Sequence, residues 1–400
     1  MPTRSRRYWI LAALRRVWAN KLTLIADDGD SSEEEEEQEL MMLYFVLNSK
    51  RYLSRRERFE RPECRVEYYL TGMSNENFRL NFRMNRQYFT AVCQLITNHD
   101  VFCSVPGKQP RMRVEIHLMA LLKMLGSLDG YGLSADFLSV GSHTPESLLT
   151  RRAMEALLSY KNAVICWPDA VERREISARI ENVSGFPCCV GLIDGTLFPL
   201  RTRPQKHGED YYSRKASYAI NGLVVSDDKC RIRYENVGWP GSSHDNRVWR
   251  NCKLARNREQ HFNMNEYLLG DSAYQPSNVM VSSYKTIRGG QLSTKEEGFN
   301  SQLAKIRIRV EHCIGMLKGR FPLLKALRCR LRNKKEKQDT IQLIQSAMIL
   351  HNMAIGDPMP DDWVVRESDD DEWADELPRS SRNSDQRRAY LRDYIFDLKN

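Results

Sequence analysis

The sequence predicts an α/β fold in which a mixed sheet is flanked by helices and preceded by a helical, helix-turn-helix-like domain. Short apolar runs bounded by turn residues begin near residue 186, which is typical of buried strands. Longer stretches before residue 160 and after residue 298 repeat apolar residues at steps of three and four, which is typical of amphipathic helices. Helices on both sides of such a run of strands favour a sheet covered by helices.

Changes in composition divide the chain into four predicted segments. Residues 1–62 form a basic and acidic N-terminal arm that is expected to be partly disordered, 63–170 the helical domain, 171–356 the α/β domain and 357–400 an acidic tail. The start of the arm is interpreted as a short basic amphipathic helix, with an organelle presequence as the alternative. The acidic runs are expected to be solvated and disordered. No apolar run reaches membrane-spanning length.

The charge of the chain is distributed unevenly. The formal net charge is +9, although segment 27–39 carries nine acidic residues and segment 357–376 carries ten. The rest of the chain is therefore much more basic than the net charge indicates. Such an excess calls for a polyanionic partner, most simply nucleic acid. It disfavours a phosphohydrolase that acts on small phosphates.

The helical domain has the pattern of a helix-turn-helix. One strong helix is predicted over 114–125, followed by a Gly-rich turn, a short helix, the break "GSHTP" and another helix. Ser142 or Thr144 can cap this last helix, and Pro145 suits its first turn. Arg151 and Arg152 lie near its start and are candidates for DNA contact. A plain helical bundle is the alternative.

The strands of the α/β domain are predicted in order from the apolar runs. The stretch "FPCCVGLIDG" is a buried strand that ends at Asp194, and "YAINGLVVSDD" and "RIRYENVGW" follow as two strands joined by a turn. The helical stretch "HDNRVWRNCKLARN" comes next, and then the short strand "EYLLGD" ends at Asp271. Adjacent strands would place Asp194 and Asp271 side by side at the sheet edge, where a ligand can reach them.

Two further acids could join this pair. Asp245 opens the helix after "WPGSSHD", and Glu311 lies on a helix that could cross the sheet. Carboxylates brought this close repel one another and raise one another's pKa, and a divalent cation removes that penalty. Hard oxygen ligands suit Mg²⁺ or Mn²⁺. A pair of such ions can activate a nucleophile and stabilise the leaving oxygen of a phosphodiester.

Glu311 has two interpretations. Its helix carries an apolar seam formed by Leu303, Ile306, Val310, Ile314 and Leu317. Glu311 lies about 100° around the helix from Val310, at the edge of that seam, and Gly315 leaves room above its carboxylate. On this interpretation Glu311 completes a metal site. The alternative is a surface glutamate paired with Arg307 at i−4.

Seven motifs follow one another between about residues 77 and 355. They are "FRMNRQYF", "IDGTLFPL", "YYSRKASYAINGLVV", "WPGSSHDNRVW", "LLGDSAYQPS", "FNSQLAKIRIRVEHCIGMLKGRF" and "AMILHNMA". In this order they resemble the DDE transposases of the PIF/Harbinger superfamily and the Harbinger transposase-derived nucleases of animals. The resemblance implies an RNase H-like core whose metal-binding catalytic acids fall on Asp194, Asp271 and Glu311. Asp245 is similar to a fourth acid that supports the metals.

The resemblance also implies an activity and partners. The expected activity is that of a metal-dependent DNA endonuclease and transposase, in which water hydrolyses one phosphodiester and the freed 3′-hydroxyl attacks target DNA. The expected partners are double-stranded DNA, further copies of the chain in a homo-oligomer, and a separately encoded Myb-like DNA-binding protein. The expected compartment is the nucleus. The alternative is a domesticated, non-enzymatic DNA-binding regulator.

Further basic residues are candidates for DNA contact. Arg214 and Lys215 follow a tyrosine pair and precede a strand, which suits a phosphate contact with base stacking, or else solvated loop charges. The basic run from Lys318 to Lys337, which includes Arg320, could track the DNA backbone. Its portion 334–337 could be a nuclear localisation signal. His244 could orient Asp245, meet the scissile phosphate or cap a helix.

Overall fold

The computed structural model describes residues 6–24, 31–50, 53, 65–104, 112–128, 138, 146–285, 291–364 and 382–398. The chain divides into two units, Met1–Arg61 and Pro62–Asn400. None of the described helices is long and apolar enough to cross a membrane.

The described residues of the first unit include the helices α1 (Arg6–Leu24) and α2 (Ser31–Ser49). The basic helix predicted at the start of the chain corresponds to α1. Arg7 Nη2 donates a hydrogen bond to the backbone oxygen of Asn48 at 2.8 Å, which satisfies a carbonyl at the C-terminal end of α2. The acidic run continues into α2, so the prediction of disorder is wrong for residues 31–39.

The second unit begins with helices that pack into a bundle. They are a π-helical turn Tyr68–Gly72, α3 Asn75–Phe82, α4 Arg86–Ile96, α5 Val114–Leu125, α6 Glu146–Ser159 and α7 Lys161–Val164. Helix α8, Ala170–Ser184, follows the bundle and packs against the sheet described below. Helix α5 confirms the strong helix predicted over 114–125, and α6 packs against it. The short helix and the "GSHTP" break predicted between them fall on residues 129–137 and 139–145, which lie outside the described residues. The helix-turn-helix therefore stays a prediction.

Five strands form one mixed sheet in the order β3-β2-β1-β4-β5. They are β1 Cys189–Pro199, β2 Ala219–Ser226, β3 Ile232–Pro240, β4 Tyr267–Gly270 and β5 Met280–Ser282. Strand β2 pairs with β1 and β3 in the antiparallel sense, whereas β4 runs parallel to β1 and β5. This order confirms the predicted α/β class with a mixed sheet. Strand β5 was not predicted, because a three-residue strand carries little periodicity.

Helices cover both faces of this sheet. The remaining helices are α9 Asp245–Arg250, α10 Lys253–Arg256, α11 Arg258–His261, α12 Thr294–Arg320, α13 Lys334–Met353 and α14 Arg382–Asp397. Leu192 of β1 packs with side chains of α8, α12 and α14 on one face. Ile193 packs with side chains of α9 and α10 on the other face, because successive residues of a strand point in opposite directions. The flanking helices expected from the sequence are thus confirmed.

Helix α12 is the element that brings Glu311 to the sheet. It is 27 residues long and begins with a capping box in which Ser293 and Glu296 satisfy each other's backbone N–H groups. Its predicted apolar seam is buried, and the helix lies against β1, β2 and β4. At a rise of about 1.5 Å per residue, the helix is about 40 Å long and spans the sheet.

The helical domain and the α/β domain share one hydrophobic core. It joins Phe82 of α3, Phe198 of β1, Leu317 of α12 and Leu350 of α13. The C-terminal half of α12 therefore lies inside the protein, between the sheet and the N-terminal bundle. The basic residues at the end of α12, Lys318 and Arg320, are therefore buried.

Two parts of the segment predicted as an acidic tail pack against the domain that precedes them. Asp357 is buried and forms ion pairs with Arg79 of α3 at 2.9 Å and with Arg320 of α12 at 3.2 Å. Helix α14 packs against α12 and β5 and buries Leu391 and Ile395. Ordered contacts with the α/β domain thus continue beyond residue 356.

Candidate active site

Asp194 lies within strand β1, whereas the sequence predicts that the strand ends at Asp194. Antiparallel pairing with β2 continues as far as Pro199, which keeps β1 extended for five residues beyond Asp194. The parallel neighbour β4 ends earlier, at Gly270, and Asp271 follows it directly, as expected. Leu192 pairs with Leu269, so the same register brings Asp271 opposite Asp194. The two aspartates therefore lie beside each other where the parallel pairing ends.

Asp245 reaches the same region from the start of α9, and Gly195 makes room for it. A Cβ atom at Gly195 would lie 2.5 Å from Asp245 Oδ2, closer than non-bonded atoms can approach. Asn221 of β2 donates a hydrogen bond from Nδ2 to Asp245 Oδ1 at 3.1 Å and another to the backbone oxygen of Ser243 at 2.7 Å. These contacts hold the Asp245 carboxylate against β1 at Gly195, within electrostatic reach of Asp194.

Glu311 enters the site from α12 together with Arg307. Arg307 Nη2 lies 3.0 Å from Glu311 Oε1 and 3.8 Å from Asp194 Oδ2. The i−4 ion pair that the alternative interpretation proposed is therefore present, but it lies in the site and not on an isolated surface. The exposed fractions of these side chains are 15% for Arg307, 16% for Asp194 and 32% for Glu311.

The electrostatics of the site centre on Asp194. Burial raises the pKa of Asp194 well above its usual range, Arg307 opposes this shift, and Asp271, Asp245 and Glu311 reinforce it. Burial also raises the pKa of Asp245, and the hydrogen bond from Asn221 limits that rise. Four carboxylates from four separate elements therefore interact here. Their mutual repulsion is a cost that a cation in the site would relieve.

Tyr274 is a buried phenol beside these acids that sequence reasoning did not single out. Among the described residues, its hydroxyl has no hydrogen-bond partner. Burial, and then Asp245, Asp271 and Asp194, raise its pKa well above the usual range. The turn that carries Tyr274 also orients Asp271, whose Oδ1 accepts a hydrogen bond from the Ala273 N–H at 3.0 Å. The motif "GDSAY" was the signal that could have identified this tyrosine.

The donor set fits a hard divalent cation such as Mg²⁺ or Mn²⁺. All four candidate ligands are carboxylates, and the absence of a side chain at Gly195 lets the Asp245 carboxylate lie directly against β1. Among the described residues, however, no three His, Cys, Asp or Glu side chains converge closely enough to hold one metal ion in this arrangement. Arg307 occupies the space between Asp194 and Glu311 instead.

Arg214 and Lys215 lie on an exposed loop next to the acids. Arg214 lies close enough to Asp245 to lower the pKa of that carboxyl, as does the exposed His244. The Ser242 N–H donates to the backbone oxygen of Asp210 at 3.1 Å, which ties this loop to the turn that precedes Asp245. Positive charge therefore borders the carboxylates on the open side of the site.

The other candidate DNA contacts lie on α6 and α12. Arg151 is exposed and Arg152 is partly buried on α6. Lys318 and Arg320 are buried, with exposed fractions of 4% and 1%, so the prediction that they contact DNA is wrong for this structure. Lys318 Nζ donates to the backbone oxygen of Leu197 at 2.9 Å, and the Arg320 guanidinium pairs with Asp357. Both side chains hold the end of α12 in the shared core.

The stretch that builds this site has relatives among known proteins. Residues 193–352, from the neighbour of Asp194 nearly to the end of α13, match the family model of the DDE superfamily endonucleases. These residues form a DDE endonuclease domain. The DDE endonuclease domain includes all four candidate carboxylates, Asp194, Asp245, Asp271 and Glu311.

Two proteins of Arabidopsis thaliana are similar to most of the chain. Antagonist of like heterochromatin protein 1 is 23% identical over 318 residues, which cover 74% of this chain and 78% of the relative. An ALP1-like protein is 21% identical over 342 residues, which cover 80% of this chain and 81% of the relative. No solved structure matches the chain. The DDE endonuclease domain and these relatives are consistent with the resemblance to the Harbinger DDE transposases.

Proposed function

We propose that this protein is a divalent-metal-dependent endonuclease that cleaves phosphodiesters of double-stranded DNA and joins the freed 3′-hydroxyl ends to target DNA. The observation that carries the proposal is the close electrostatic interaction of the buried Asp194 with three other carboxylates. Burial and three other carboxylates raise its pKa, within a domain of the DDE endonuclease superfamily. Clustered carboxylates of this kind are strongly unfavourable unless a cation neutralises them.

In this proposal Asp194, Asp271 and Glu311 are the catalytic metal ligands and Asp245 is a fourth ligand. Two ions of Mg²⁺ or Mn²⁺ would supply nucleophile activation and stabilisation of the leaving oxygen. Asn221 orients Asp245, and the Asp271 turn orients its own carboxylate. No nucleophilic side chain is required, because the attacking groups are water and then the 3′-hydroxyl.

The basic residues of the chain serve the DNA in this proposal. Arg214 and Lys215 would contact phosphates beside the acids, and their loop carries the exposed Tyr212, on which a base can stack. Arg151 and Arg152 would contact the duplex further from the site. We place the protein in the nucleus, as a homo-oligomer, with a separately encoded Myb-like protein supplying sequence specificity.

The test is cleavage of supercoiled plasmid DNA with and without Mg²⁺ or Mn²⁺. Asp194→Asn and Asp271→Asn should abolish nicking and leave DNA binding intact or slightly stronger, because each removes a metal ligand and a negative charge. Glu311→Gln should behave likewise, and Asp245→Asn should weaken nicking. Glu259→Gln, in an exposed carboxylate of α11, is the matched control and should cut at the wild-type rate. The proposal is falsified if Asp194→Asn or Asp271→Asn also cuts at the wild-type rate.

A second candidate function is that of a non-enzymatic DNA-binding regulator derived from a transposase. It is favoured by one relative, which is named as an antagonist of like heterochromatin protein 1 and not as a nuclease. Metal-independent DNA binding, together with no nicking by the wild type in either metal, would select this function over the first.

A further inference from the structure

Arg307 forms ion pairs with two of the four carboxylates of the candidate site. Its guanidinium lies 3.0 Å from Glu311 Oε1 and 3.8 Å from Asp194 Oδ2, and its side chain is only 15% exposed. It is also the group that counteracts the rise in the pKa of Asp194. The oxygen atoms that it contacts belong to two of the proposed metal ligands. The Arg307 guanidinium and a metal ion would therefore compete for the same carboxylate oxygens of Asp194 and Glu311.

The charge and size of the two cations determine which of them occupies these positions. Without metal, the carboxylates repel one another, and one buried guanidinium offsets part of that repulsion. A divalent cation carries twice the charge in a smaller volume and binds carboxylate oxygens directly. It cannot bind Asp194 and Glu311 together while the guanidinium lies between them. Metal binding must therefore move Arg307.

The displaced guanidinium needs a new anion, since an unpaired charge at a partly buried position is costly. The Arg307 side chain is partly exposed, so the guanidinium can reach solvent from its position beside Glu311. A phosphate of bound DNA is the anion that would enter there, and a guanidinium binds phosphate through two parallel hydrogen bonds.

We infer that Arg307 is the counterion of the metal-free site, that a divalent cation displaces it, and that the displaced guanidinium binds a DNA phosphate. This inference rests on the proposed metal-dependent function. It makes Arg307 a residue that contacts the substrate only after the metal has bound.

The first test is Mn²⁺ binding in the absence of DNA, measured by isothermal titration calorimetry on the full chain. Arg307→Gln and Arg307→Ala should bind Mn²⁺ more tightly than wild type, by about tenfold or more, because the competing cation is gone. Arg309→Ala is the matched control, since it removes an exposed arginine two residues away on the same helix. The control should bind Mn²⁺ with wild-type affinity to within about twofold.

The outcomes separate this inference from the proposed function. If wild type binds Mn²⁺ and neither Arg307 variant binds it more tightly, Arg307 is not a competitor and the inference fails alone. If neither wild type nor the Arg307 variants bind Mn²⁺, the carboxylates are not a metal site and the proposed function fails. Arg307→Gln keeps most of the side-chain volume, so it provides the comparison if Arg307→Ala does not fold.

The second test is DNA affinity in EDTA and in Ca²⁺, which takes the same oxygen ligands as Mg²⁺ and Mn²⁺. Arg307→Gln should weaken binding to a short duplex only in Ca²⁺, and should reduce the slope of log affinity against log salt by about one. In EDTA the variant should bind as wild type does. An equal loss of affinity in both buffers would show a structural effect and would overturn the phosphate contact.

Discussion

The contribution of Asp194 to the stability of the metal-free fold depends on pH. Burial, which Asp271, Asp245 and Glu311 reinforce, raises its pKa well above the ordinary value of 3.8. The folded protein then holds this proton more tightly than the unfolded chain does. The contribution of Asp194 to the stability of the metal-free fold therefore falls as pH rises through the interval between the two pKa values.

Replacement of Asp194 by asparagine should remove this loss of stability. The metal-free Asp194→Asn protein should melt at a higher temperature than wild type, and the difference should grow as the pH is raised above about 4. Each tenfold change in the proton dissociation constant corresponds to about 1.4 kcal/mol. Thermal melts in EDTA across a pH series measure this difference. A difference that stays constant or shrinks with rising pH would contradict the assignment, and Glu259→Gln again serves as the control.

Gly195 determines whether the Asp245 carboxylate can lie directly against β1. In Gly195→Ala the new methyl group would overlap the Asp245 carboxylate, so Asp245 must move and its hydrogen bond with Asn221 must lengthen. We expect a loss of about 1–3 kcal/mol in the free energy of unfolding and weaker Mn²⁺ binding. Urea denaturation and calorimetry measure the two effects.

Gly298 provides the matched control for this substitution. It lies in α12, and a Cβ atom there would meet nothing within 4 Å. Gly298→Ala should therefore stabilise the protein by about 0.4–1 kcal/mol, because alanine restricts the unfolded chain and favours a helix. If Gly195→Ala were equally harmless, the close approach of Asp245 would not matter to the site.

The sequence identified the four carboxylates but not the residues that position them. Asp194 and Asp271 could be found because each follows an apolar run in a recognisable motif. Gly195, Asn221 and Arg307 could not, because their roles depend on contacts between different elements of the fold. The sequence contained the ion pair of Arg307 with Glu311 as an i−4 spacing, but only the tertiary structure shows that Asp194 shares the same guanidinium.

At the scale of elements, periodicity predicted α12, β2 and β3 well but misplaced the end of β1. A continuous apolar pattern stops near Asp194, whereas the hydrogen-bonded strand continues to Pro199 because β2 remains its partner. Likewise, the basic character of the end of α12 suggested a DNA-binding surface. Buried arginine and lysine cannot be distinguished from exposed ones by composition alone when their partners lie far away in sequence.

The buried ion pair of Arg320 with Asp357 links α12 to the segment after α13, and loss of either partner should strongly destabilise the protein. Asp357 also pairs with Arg79 of α3 and accepts a hydrogen bond from the Asn85 N–H at 2.9 Å. Asp357→Asn would leave a buried guanidinium without its counterion, at a cost of about 3–5 kcal/mol. Chemical denaturation measures this loss.

Glu209 supplies the control for that experiment. It pairs with Arg203, but both side chains are more than half exposed, so Glu209→Gln should leave the denaturation midpoint unchanged. Equal midpoints for Asp357→Asn and Glu209→Gln would mean that the C-terminal segment does not anchor α12.

At the scale of the whole molecule, the acidic residues are concentrated in segments 27–39 and 357–376, whereas the basic residues proposed to contact DNA lie elsewhere in the sequence. Binding to duplex DNA should weaken steeply with salt, because each phosphate contact releases a counterion and contributes about 0.9 to the slope of log affinity against log salt. An affinity for duplex DNA that does not change with salt concentration would contradict the proposal that the protein binds nucleic acid. The exposed pair Arg214 and Lys215 lies nearest to the acids and is the part of this surface that can be tested directly.

The double variant Arg214→Ala, Lys215→Ala should lower that slope by about one to two and weaken binding to all duplex sequences alike. Uniform weakening is expected because phosphate contacts carry no direct sequence information. Arg174→Ala, which removes an exposed arginine of α8, is the control and should leave the slope unchanged. Fluorescence anisotropy on two unrelated duplexes over a salt series measures both quantities. An unchanged slope for the double variant would move the DNA path away from the loop beside Asp245, and a change on only one duplex would indicate base contact instead of phosphate contact.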